Sequence, residues 1–360
     1  MLKIELKAAL IVLGTACLPL VAHADQPMNS SVKAQQQPAY VSGESIKTGD
    51  LPAAYNASAS YQCVDGWDVF ITADYIYWNW QQESMQMGVL DPEDQGAHEA
   101  VFQYPGYASG FQVGLGFNMP GMDNWNLYSE YTWYKNSNTK SVSSTAAVPL
   151  NVLNLHGRTK TYVVGTTTSE VEMQFDALDF LVRRPFYFGK KLTANVSLGL
   201  KALWITQNFN RTLVGSELLN DELEALNSSS AVKQTTWGLG PKIGIETNWI
   251  LGCGFQIMGN LSTSVLSTSY NVTGTLETLD GSDSFNCLHN YGVLRPVTEA
   301  FLGLGWNTGF CDNSYRLALS VGYDFDVYWS YNLIDYAVEN RKNVGDMYLQ
   351  GLNIGARFDF

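Results

Sequence analysis

The last thirteen residues of the chain alternate between apolar and polar side chains. Every second residue from Tyr348 to Phe360 is apolar or aromatic except Gln350, and the residues between them are small or polar except Leu349. A period of two indicates a β-strand with one apolar and one polar face. Because this period recurs along most of the sequence, it predicts an all-β, transmembrane, antiparallel up-and-down β-barrel. A soluble β-sandwich with an aromatic core is the alternative.

The composition agrees with strands that cross a membrane. Of the 360 residues, 15% are charged and 13% are aromatic, whereas soluble proteins average about 25% charged residues. After residue 24, no segment has the roughly 18 uninterrupted apolar residues of a membrane helix. Alternating strands hide their apolar residues from a window average in this way. The formal net charge of −13 argues against nucleic acid as a partner.

The N-terminal residues predict export. In residues 1–24, Lys3 and Lys7 flank the start of an apolar run, and the run ends at Ala22-His23-Ala24, which fits a signal-peptide cleavage site. Residues 25–62 are rich in Gln, Ser, Ala and Pro and predict a flexible periplasmic leader. Residues 63–360 are then the barrel, located in the outer membrane.

Ten strands are predicted, and twelve are the alternative if the long connections hide two more. The fourth strand changes phase near Ala177, which suggests a β-bulge, and Pro241 marks a weak point in the sixth. The predicted strands are residues 67–80, 107–119, 125–135, 170–184, 191–207, 233–249, 255–267, 291–306, 315–328 and 348–360.

The predicted connections alternate in length. Those at 120–124, 185–190, 250–254 and 307–314 are short, and those at 81–106, 136–169, 208–232, 268–290 and 329–347 are long and polar. Short periplasmic turns and long external loops are typical of outer-membrane barrels. Aromatic pairs such as Trp237 and Trp249 on one strand face fit two interfacial girdles.

The polar strand faces predict a charged lumen with more acids than bases, which favours cations. Arg295 and Glu299 are a possible ion pair within it. The acidic candidates are Asp68, Asp74, Glu130, Glu172, Asp176, Glu246, Glu299, Asp324, Asp326 and Asp359. The basic candidates are Lys191, Lys201, Lys242, Arg295, Arg316 and Arg357.

Catalytic and metal-binding patterns are not found in the sequence. The histidines after the signal peptide, His98, His156 and His289, are predicted to lie in long loops without metal-ligand spacing. We therefore expect no enzyme, metal or cofactor, and a hydrolase on the barrel rim is the weaker alternative. Among the cysteines, Cys253 and Cys311 in successive short turns are the preferred disulfide pair.

Two stretches carry a family resemblance. Residues 66–78, with Gly-Trp-Asp-Val-Phe and Asp-Tyr-Ile-Tyr-Trp, and residues 301–306, together with the terminal strand, resemble the major-outer-membrane-protein-like pore family of Legionella and chlamydia-related bacteria. The resemblance spans roughly residues 60–360 and implies a pore for passive diffusion of small solutes. It supplies no catalytic residues.

The sequence therefore predicts a porin-like protein with a weak cation preference, and a surface adhesin displayed on a closed barrel is the alternative. Ten strands enclose a narrow interior that side chains can fill. Expected partners are outer-membrane lipid, lipopolysaccharide and the barrel assembly machinery, with homo-oligomerisation possible.

The cleavage site gives a first test. We expect N-terminal sequencing of outer-membrane material to begin at Asp25, because the small residues Ala22 and Ala24 fit the signal-peptidase pattern. Mature protein that retains Lys3 would contradict both the cleavage site and the export route.

Overall fold

Strands account for nearly all of the regular structure in the described part of the chain. The computed structural model describes residues 56–61, 63, 66–83, 85–90, 99–119, 125–145, 150–152, 161–219, 222–278, 281–334 and 344–360. In these residues the strands are β1 (Val69–Gln82), β2 (Gln86–Leu90), β3 (Glu99–Phe102), β4 (Tyr107–Asn118), β5 (Asn126–Ser144), β6 (Leu150–Val152), β7 (Thr161–Tyr187), β8 (Leu192–Leu219), β9 (Glu222–Gly252), β10 (Phe255–Thr278), β11 (Gly281–Phe310), β12 (Tyr315–Asn332) and β13 (Gly345–Asp359).

Ten of these strands form a closed antiparallel ring. Strand β1 pairs with β4 on one side and with β13 on the other, and the order continues through β12, β11, β10, β9, β8, β7 and β5 back to β4. The predicted ten-stranded up-and-down barrel is therefore confirmed. The three short strands are not members of this ring: β6 pairs with β7, β2 with β6, and β3 with β2.

The ring is staggered, which sets the tilt of its strands. The row of directly paired residues that starts at Trp249 returns to β9 at Trp237, a displacement of 12 residues (249 − 237). For ten strands this stagger corresponds to a tilt of about 40°. Twelve residues then rise about 30 Å, close to the apolar band of an outer-membrane barrel. The row is Trp249, Ile257, Leu304, Val321, Ile354, Tyr75, Phe111, Trp133, Asp176, Trp204 and Trp237.

An apolar band surrounds the outside of the barrel between aromatic residues. On β9, Trp237 and Trp249 are 51% and 57% exposed, and Leu239, Ile243 and Ile245 between them also point outward and are exposed. Such a face is stable only in contact with lipid. Both tryptophans of the predicted girdle on β9 therefore lie on the outward face, at the two ends of its apolar stretch.

Pro241 interrupts the ladder between β9 and β10, as predicted. The two strands keep one register, with Ser264 opposite Lys242 and Ser267 opposite Leu239, but the two rungs between these pairs are missing. Proline has no N–H to donate to a neighbouring strand.

The predicted phase slip in β7 is wrong. Strand β7 keeps a continuous register with β5 and β8, and Val171, Met173 and Phe175 face the interior in the same series as Ala177. Closer to the short turns, Leu178 on the opposite face is exposed to the outside. The apolar residues of β7 therefore change from the inward face to the outward face along one regular strand. From Val171 to Ala177 the barrel interior is apolar, so the apolar side chains point inward. From Leu178 onward the outward face contacts lipid, so the apolar side chains point outward.

The predicted long connections 136–169, 208–232 and 268–290 are largely strand. Strands β8 and β9 stay paired from Leu192 and Trp249 to Leu219 and Glu222. The end of the barrel that carries the long connections is called the long-loop end. Its strands therefore extend well beyond the row that contains Trp204 and Trp237. The opposite end carries the short connections and is called the short-turn end.

Much of the N-terminal region predicted as signal and leader lies outside the described residues. At the end of the leader, the N–H of Ala59 donates to the Pro185 carbonyl oxygen at 3.1 Å, and the N–H of Tyr187 donates to the Ala57 carbonyl oxygen at 2.8 Å. This part of the leader pairs with the end of β7. Within the described ranges, no helix combines the length and hydrophobicity needed to span a membrane.

The register predicts which substitutions block insertion. Leu352 points outward between Phe358 near the short turns and Tyr348 near the long loops. We expect Leu352→Arg to destabilise the inserted barrel by about 2–4 kcal/mol, because arginine is costly at the depth of the lipid chains. Folding yield and denaturant midpoint in lipid vesicles measure this effect.

The matched control is Thr273→Arg, also on an outward face. Thr273 is exposed and lies four residues beyond Ser269, which pairs with Trp237. Its expected cost is about 0–1 kcal/mol, as for positions near or beyond the interface. Equal yields for the two variants would show that the register is wrong.

Candidate functional site

Aromatic rings and guanidinium groups fill the barrel interior near the short-turn end. The Arg183 guanidinium lies 3.8 Å from the Tyr128 ring centre and 5.6 Å from that of Phe70, and the Arg357 guanidinium lies 3.6 Å from the Phe70 ring centre. Gly116 makes room for this packing, since a Cβ there would overlap the Phe70 ring. Cation–π contacts of this kind stabilise desolvated arginines.

Carboxylates neutralise these cations. Arg183 donates to Asn126 at 2.9 Å and forms an ion pair with Glu246 at 3.2 Å. Arg357 donates to Asp359 through Nε at 3.0 Å, and Arg316 lies 3.9 Å from the same carboxylate. The cations in the interior at this end are therefore paired with carboxylates.

Four charged side chains form a network in the middle of the interior, here called the charge quartet. Lys201 lies 3.3 Å from Asp179 and 2.6 Å from Glu299. Lys242 lies 2.7 Å from Asp179 and also pairs with Glu299. The quartet joins β7, β8, β9 and β11, and Ser262 on β10 donates to Glu299 at 2.9 Å. Two cations and two anions in alternation compensate one another's desolvation.

Further carboxyl groups extend this layer around the ring. Asp324 accepts hydrogen bonds from Trp78 Nε1 at 3.0 Å and from Asn353 Nδ2 at 2.9 Å. Glu130 accepts one from the Tyr128 hydroxyl at 2.5 Å. With Asp74 and Asp326, which also face inward, these groups and the charge quartet make up a layer that we call the polar belt. Its ionisable members are Asp74, Glu130, Asp179, Lys201, Lys242, Glu299, Asp324 and Asp326.

The polar belt carries an excess of carboxyl groups. Six carboxyl groups face two ammonium groups, a surplus of four (6 − 2) if all are ionised. On the β11–β12 ladder, Glu299 is directly opposite Asp326, so two acidic residues are cross-strand neighbours. Like charges at opposed positions repel each other.

Above the polar belt, toward the long-loop end, a large apolar cluster fills the barrel. This cluster, here called the interior core, contains aromatic residues that are at most 2% exposed. Edge-to-face contacts such as that between Tyr328 and Tyr331 fix its geometry. Its members are Ile76, Trp78, Trp80, Met85, Tyr134, Val171, Met173, Phe175, Ala177, Leu203, Ile205, Leu266, Tyr270, Val297, Tyr328, Tyr331, Leu333, Met347 and Leu349.

The last two residues of β12 and the two residues after them fold into the interior core. This plug segment, residues 331–334, places Leu333 and Ile334 among buried side chains. Gln234 holds it through both ends of its amide: Nε2 donates to the Tyr331 carbonyl oxygen at 3.1 Å, and Oε1 accepts from the Leu333 N–H at 3.1 Å. Gln234 also donates to Gln207 at 3.2 Å. Asn332 adds a hydrogen bond from its Nδ2 to the Glu83 carbonyl oxygen at 2.6 Å, so both polar contacts and apolar packing hold the plug segment.

Most predicted lumen residues do face the interior. They occupy the polar belt or, like Glu246, Arg316, Arg357 and Asp359, the region near the short turns, and Arg295 lies beside Tyr270 of the interior core. Lys191 is an exception, because it is exposed in the turn before β8. Asp68 is another, since it precedes β1 at the short-turn rim, where partial burial raises the pKa of its carboxyl.

The prediction that Glu172 and Asp176 face the lumen is wrong. Glu172 is on the outer surface of β7, paired with the exposed Lys135 at 2.6 Å. Asp176 accepts a hydrogen bond from the Tyr131 hydroxyl at 2.5 Å and lies in the row between Trp133 and Trp204. Acids are stable on this outer face because it lies at or beyond the edge of the apolar band.

The suggested ion pair between Arg295 and Glu299 is also wrong. The two residues are four apart on one strand, about 13 Å, and Glu299 pairs with Lys201 and Lys242 instead. The Arg295 guanidinium lies 5.9 Å from the Tyr270 ring centre.

Two interior residues, Asp179 and Arg183, were missed from the sequence. They alternate with the outward residues Phe180 and Val182, and this alternation was the available signal. Their face was obscured because the same strand face is apolar at Val171 and Met173.

The predicted Cys253–Cys311 disulfide is not formed, and both thiols are free and exposed. Phe255 pairs with Trp306, so Cys253 is two residues beyond that rung and Cys311 is five. An offset of three residues is about 10 Å along the strands, more than a disulfide spans.

Metal-ligating groups were not predicted, and in the described ranges no cluster of three or more His, Cys, Asp or Glu could hold a metal ion. His98 and His156 lie outside the described residues. His289, predicted in a loop, is exposed and belongs to β11, where its Nε2 is 3.2 Å from Asn290 Nδ2.

Solved structures similar to this chain are outer-membrane barrels. The outer membrane protease OmpT from Escherichia coli has 11% identity and a TM-score of 0.40, over 82% of this chain and 97% of that one. A major outer membrane protein from Thermus thermophilus has 11% identity and a TM-score of 0.30, over 81% and 99%. Ail, the attachment invasion locus protein of Yersinia pestis, has 6% and 0.25, over 80% and 97%. Among curated proteins, no relative matches.

The family match covers the barrel. The model described as Legionella pneumophila major outer membrane protein precursor matches residues 62–360, which include every strand from β1 to β13. The chain therefore belongs to this family of major outer membrane proteins and is an outer-membrane β-barrel protein.

Proposed function

We propose that the protein is a passive outer-membrane pore for ions and small solutes, closed in the state described above and weakly cation-preferring when open. The polar belt carries this proposal. Its six carboxyl and two ammonium groups face the interior of the membrane-spanning barrel. Buried charge is costly, so a barrel that served only as an anchor would be more stable with apolar residues there. In this role the protein transports solutes and catalyses no reaction.

The sign of the charge surplus supports the cation preference. Rings of acidic side chains favour cations in a water-filled pore, and low-dielectric walls strengthen their field. The charge quartet compensates itself, so the surplus comes from Asp74, Glu130, Asp324 and Asp326. The preference should weaken with salt, because the Debye length falls from about 10 Å at 0.1 M to about 3 Å at 1 M.

The interior core supports a closed resting state. Leu333 is 1% exposed, and it is surrounded by side chains from the barrel wall. Barrels closed by an inserted loop are a known arrangement, and apolar constrictions stop conduction by excluding water. Opening would require the plug segment to move, because Leu333 and Ile334 occupy the apolar interior.

Charge removal in the polar belt tests the selectivity. We expect Asp324→Asn with Asp326→Asn to shift the reversal potential of open channels toward anions, measured in planar bilayers under a salt gradient. Asparagine keeps an oxygen that can accept the hydrogen bonds from Trp78 and Asn353.

The control for selectivity is Glu172→Gln with Asp176→Asn. It removes the same number of charges from the outer face of β7, and it should leave the reversal potential unchanged. An anion preference in the unmodified protein, or equal shifts in both variants, would contradict the assignment of the polar belt.

Loosening the plug segment tests the gate. Leu333→Ala should destabilise the closed state by about 2–5 kcal/mol. Since about 1.4 kcal/mol is a factor of ten in a population, open probability in bilayers should rise at least about tenfold.

The control for the gate is Leu302→Ala, at an outward position that is 67% exposed. It should leave open probability unchanged. If neither the unmodified protein nor Leu333→Ala conducts, although both are folded, the pore proposal fails.

That failure would favour a second candidate, a surface adhesin displayed on a closed barrel. The observation in its favour is the length of β8 and β9, which remain paired far beyond the Trp204–Trp237 row. The long loops of an outer-membrane barrel face outward from the cell, so such strands would carry them away from the membrane. Cell-binding assays with protein that does not conduct would test this candidate.

A further inference from the structure

A broad polar surface lies on the outside of the barrel at the long-loop end. We call it the polar wall: the outward faces of β5, β7, β8, β9 and β10 beyond the row of Trp133, Trp204 and Trp237. One cross-strand row in the polar wall places Ser141 opposite Thr168, Thr168 opposite Thr212, and Thr212 opposite Ser229. Five strands at about 4.8 Å spacing make the polar wall about 20 Å wide.

Uncharged hydrogen-bonding groups dominate this surface. The hydroxyls of Ser141 and Thr168 are 2.9 Å apart, and Asn210 Nδ2 donates to Glu170 at 3.5 Å. The other outward positions beyond the row of Trp133, Trp204 and Trp237 are mainly hydroxyl and amide residues: Ser137, Thr139, Ser143, Thr166, Gln174, Thr206, Asn208, Asn227, Thr235, Asn271, Thr273 and Thr275.

The polar wall is continuous with the lipid-facing band. On β8, Leu198 and Leu200 face lipid, Trp204 marks the boundary, and Thr212 follows eight residues later on the same face. With a tilt of about 40°, the ten residues from Trp204 to Val214 rise about 25 Å above the apolar band. The polar wall therefore stands in the layer occupied by the headgroups of the outer leaflet.

We propose that the polar wall binds the saccharide portion of the lipopolysaccharide that surrounds the barrel. Sugar hydroxyls both donate and accept hydrogen bonds, as serine and threonine hydroxyls and asparagine amides do. Short side chains lose little rotamer entropy on binding. A protein partner is a poorer fit, because protein interfaces are enriched in aromatic residues at their centre. The inference does not depend on conduction through the interior.

Two lipopolysaccharide preparations test the proposal on the unmodified full-length protein in detergent. One carries the complete saccharide and the other is lipid A alone, and calorimetric titration gives the affinity for each. We expect the complete form to bind at least about tenfold more tightly, equivalent to one or two net hydrogen bonds. Equal affinities would overturn the proposal without any variant.

Variants then locate the surface. Thr168→Asp with Thr212→Asp places like charges at directly opposed positions and should abolish the preference for the complete form. The conservative pair Thr168→Ser with Thr212→Ser keeps both hydroxyls and should retain it. The control, Thr308→Asp with Asn313→Asp, adds two acids at the short-turn end and should also retain the preference.

Two results would overturn the proposal even if the unmodified protein shows the preference. One is a preference that survives Thr168→Asp with Thr212→Asp, or is lost equally in the short-turn control. The other is a change in oligomeric mass of the aspartate variant with unchanged affinity, which would identify the polar wall as an interface between copies of this chain.

Discussion

The pairing of β1 with β13 is the interaction on which the barrel depends. It joins residues from Phe70 opposite Asp359 to Gln82 opposite Met347 and leaves no free edge in the membrane-spanning ring. In lipid, an unpaired N–H or carbonyl has no water to bind, so an open sheet of this size would be unstable. Closure also fixes the stagger, and the stagger fixes how far each strand face extends through the membrane.

A second constraint follows from the change of surroundings along each strand. Within the apolar band, Leu178 on β7 faces lipid while Asp179 faces the polar belt. Farther along the same strand, Glu172 faces outward and Met173 is buried inside. The barrel is thus apolar outside and polar inside at one height, and polar outside and apolar inside at another. In both regions the alternating side chains stabilise the barrel by placing apolar residues on one strand face, but the apolar face is the outer one in the first region and the inner one in the second.

This exchange determines what the sequence could predict. Regular alternation located the ten strands and the lipid face of Leu198 and Ile243, because one period holds through the membrane. The same rule assigned Glu172 to the lumen, since a sequence pattern does not show where the membrane ends. Leu333 was not predicted as buried because the plug segment follows no strand period, and its burial depends on distant residues such as Gln234. The quartet's pairing was equally hidden, since Asp179 and Glu299 are brought together only by the closed ring.

Closure by the first and last strands of the ring also has a kinetic consequence. The contact between Phe70 and Asp359 is among the most distant in sequence that the chain could make, so its loop-closure entropy must be overcome late in folding. Until then, β1 and β13 each present an open edge on which another chain could pair. A chain in which the ring is still open is therefore more prone to aggregation than the closed barrel. The pairing of β1 with β13 can form only when all the strands between these two edges are paired in the correct register.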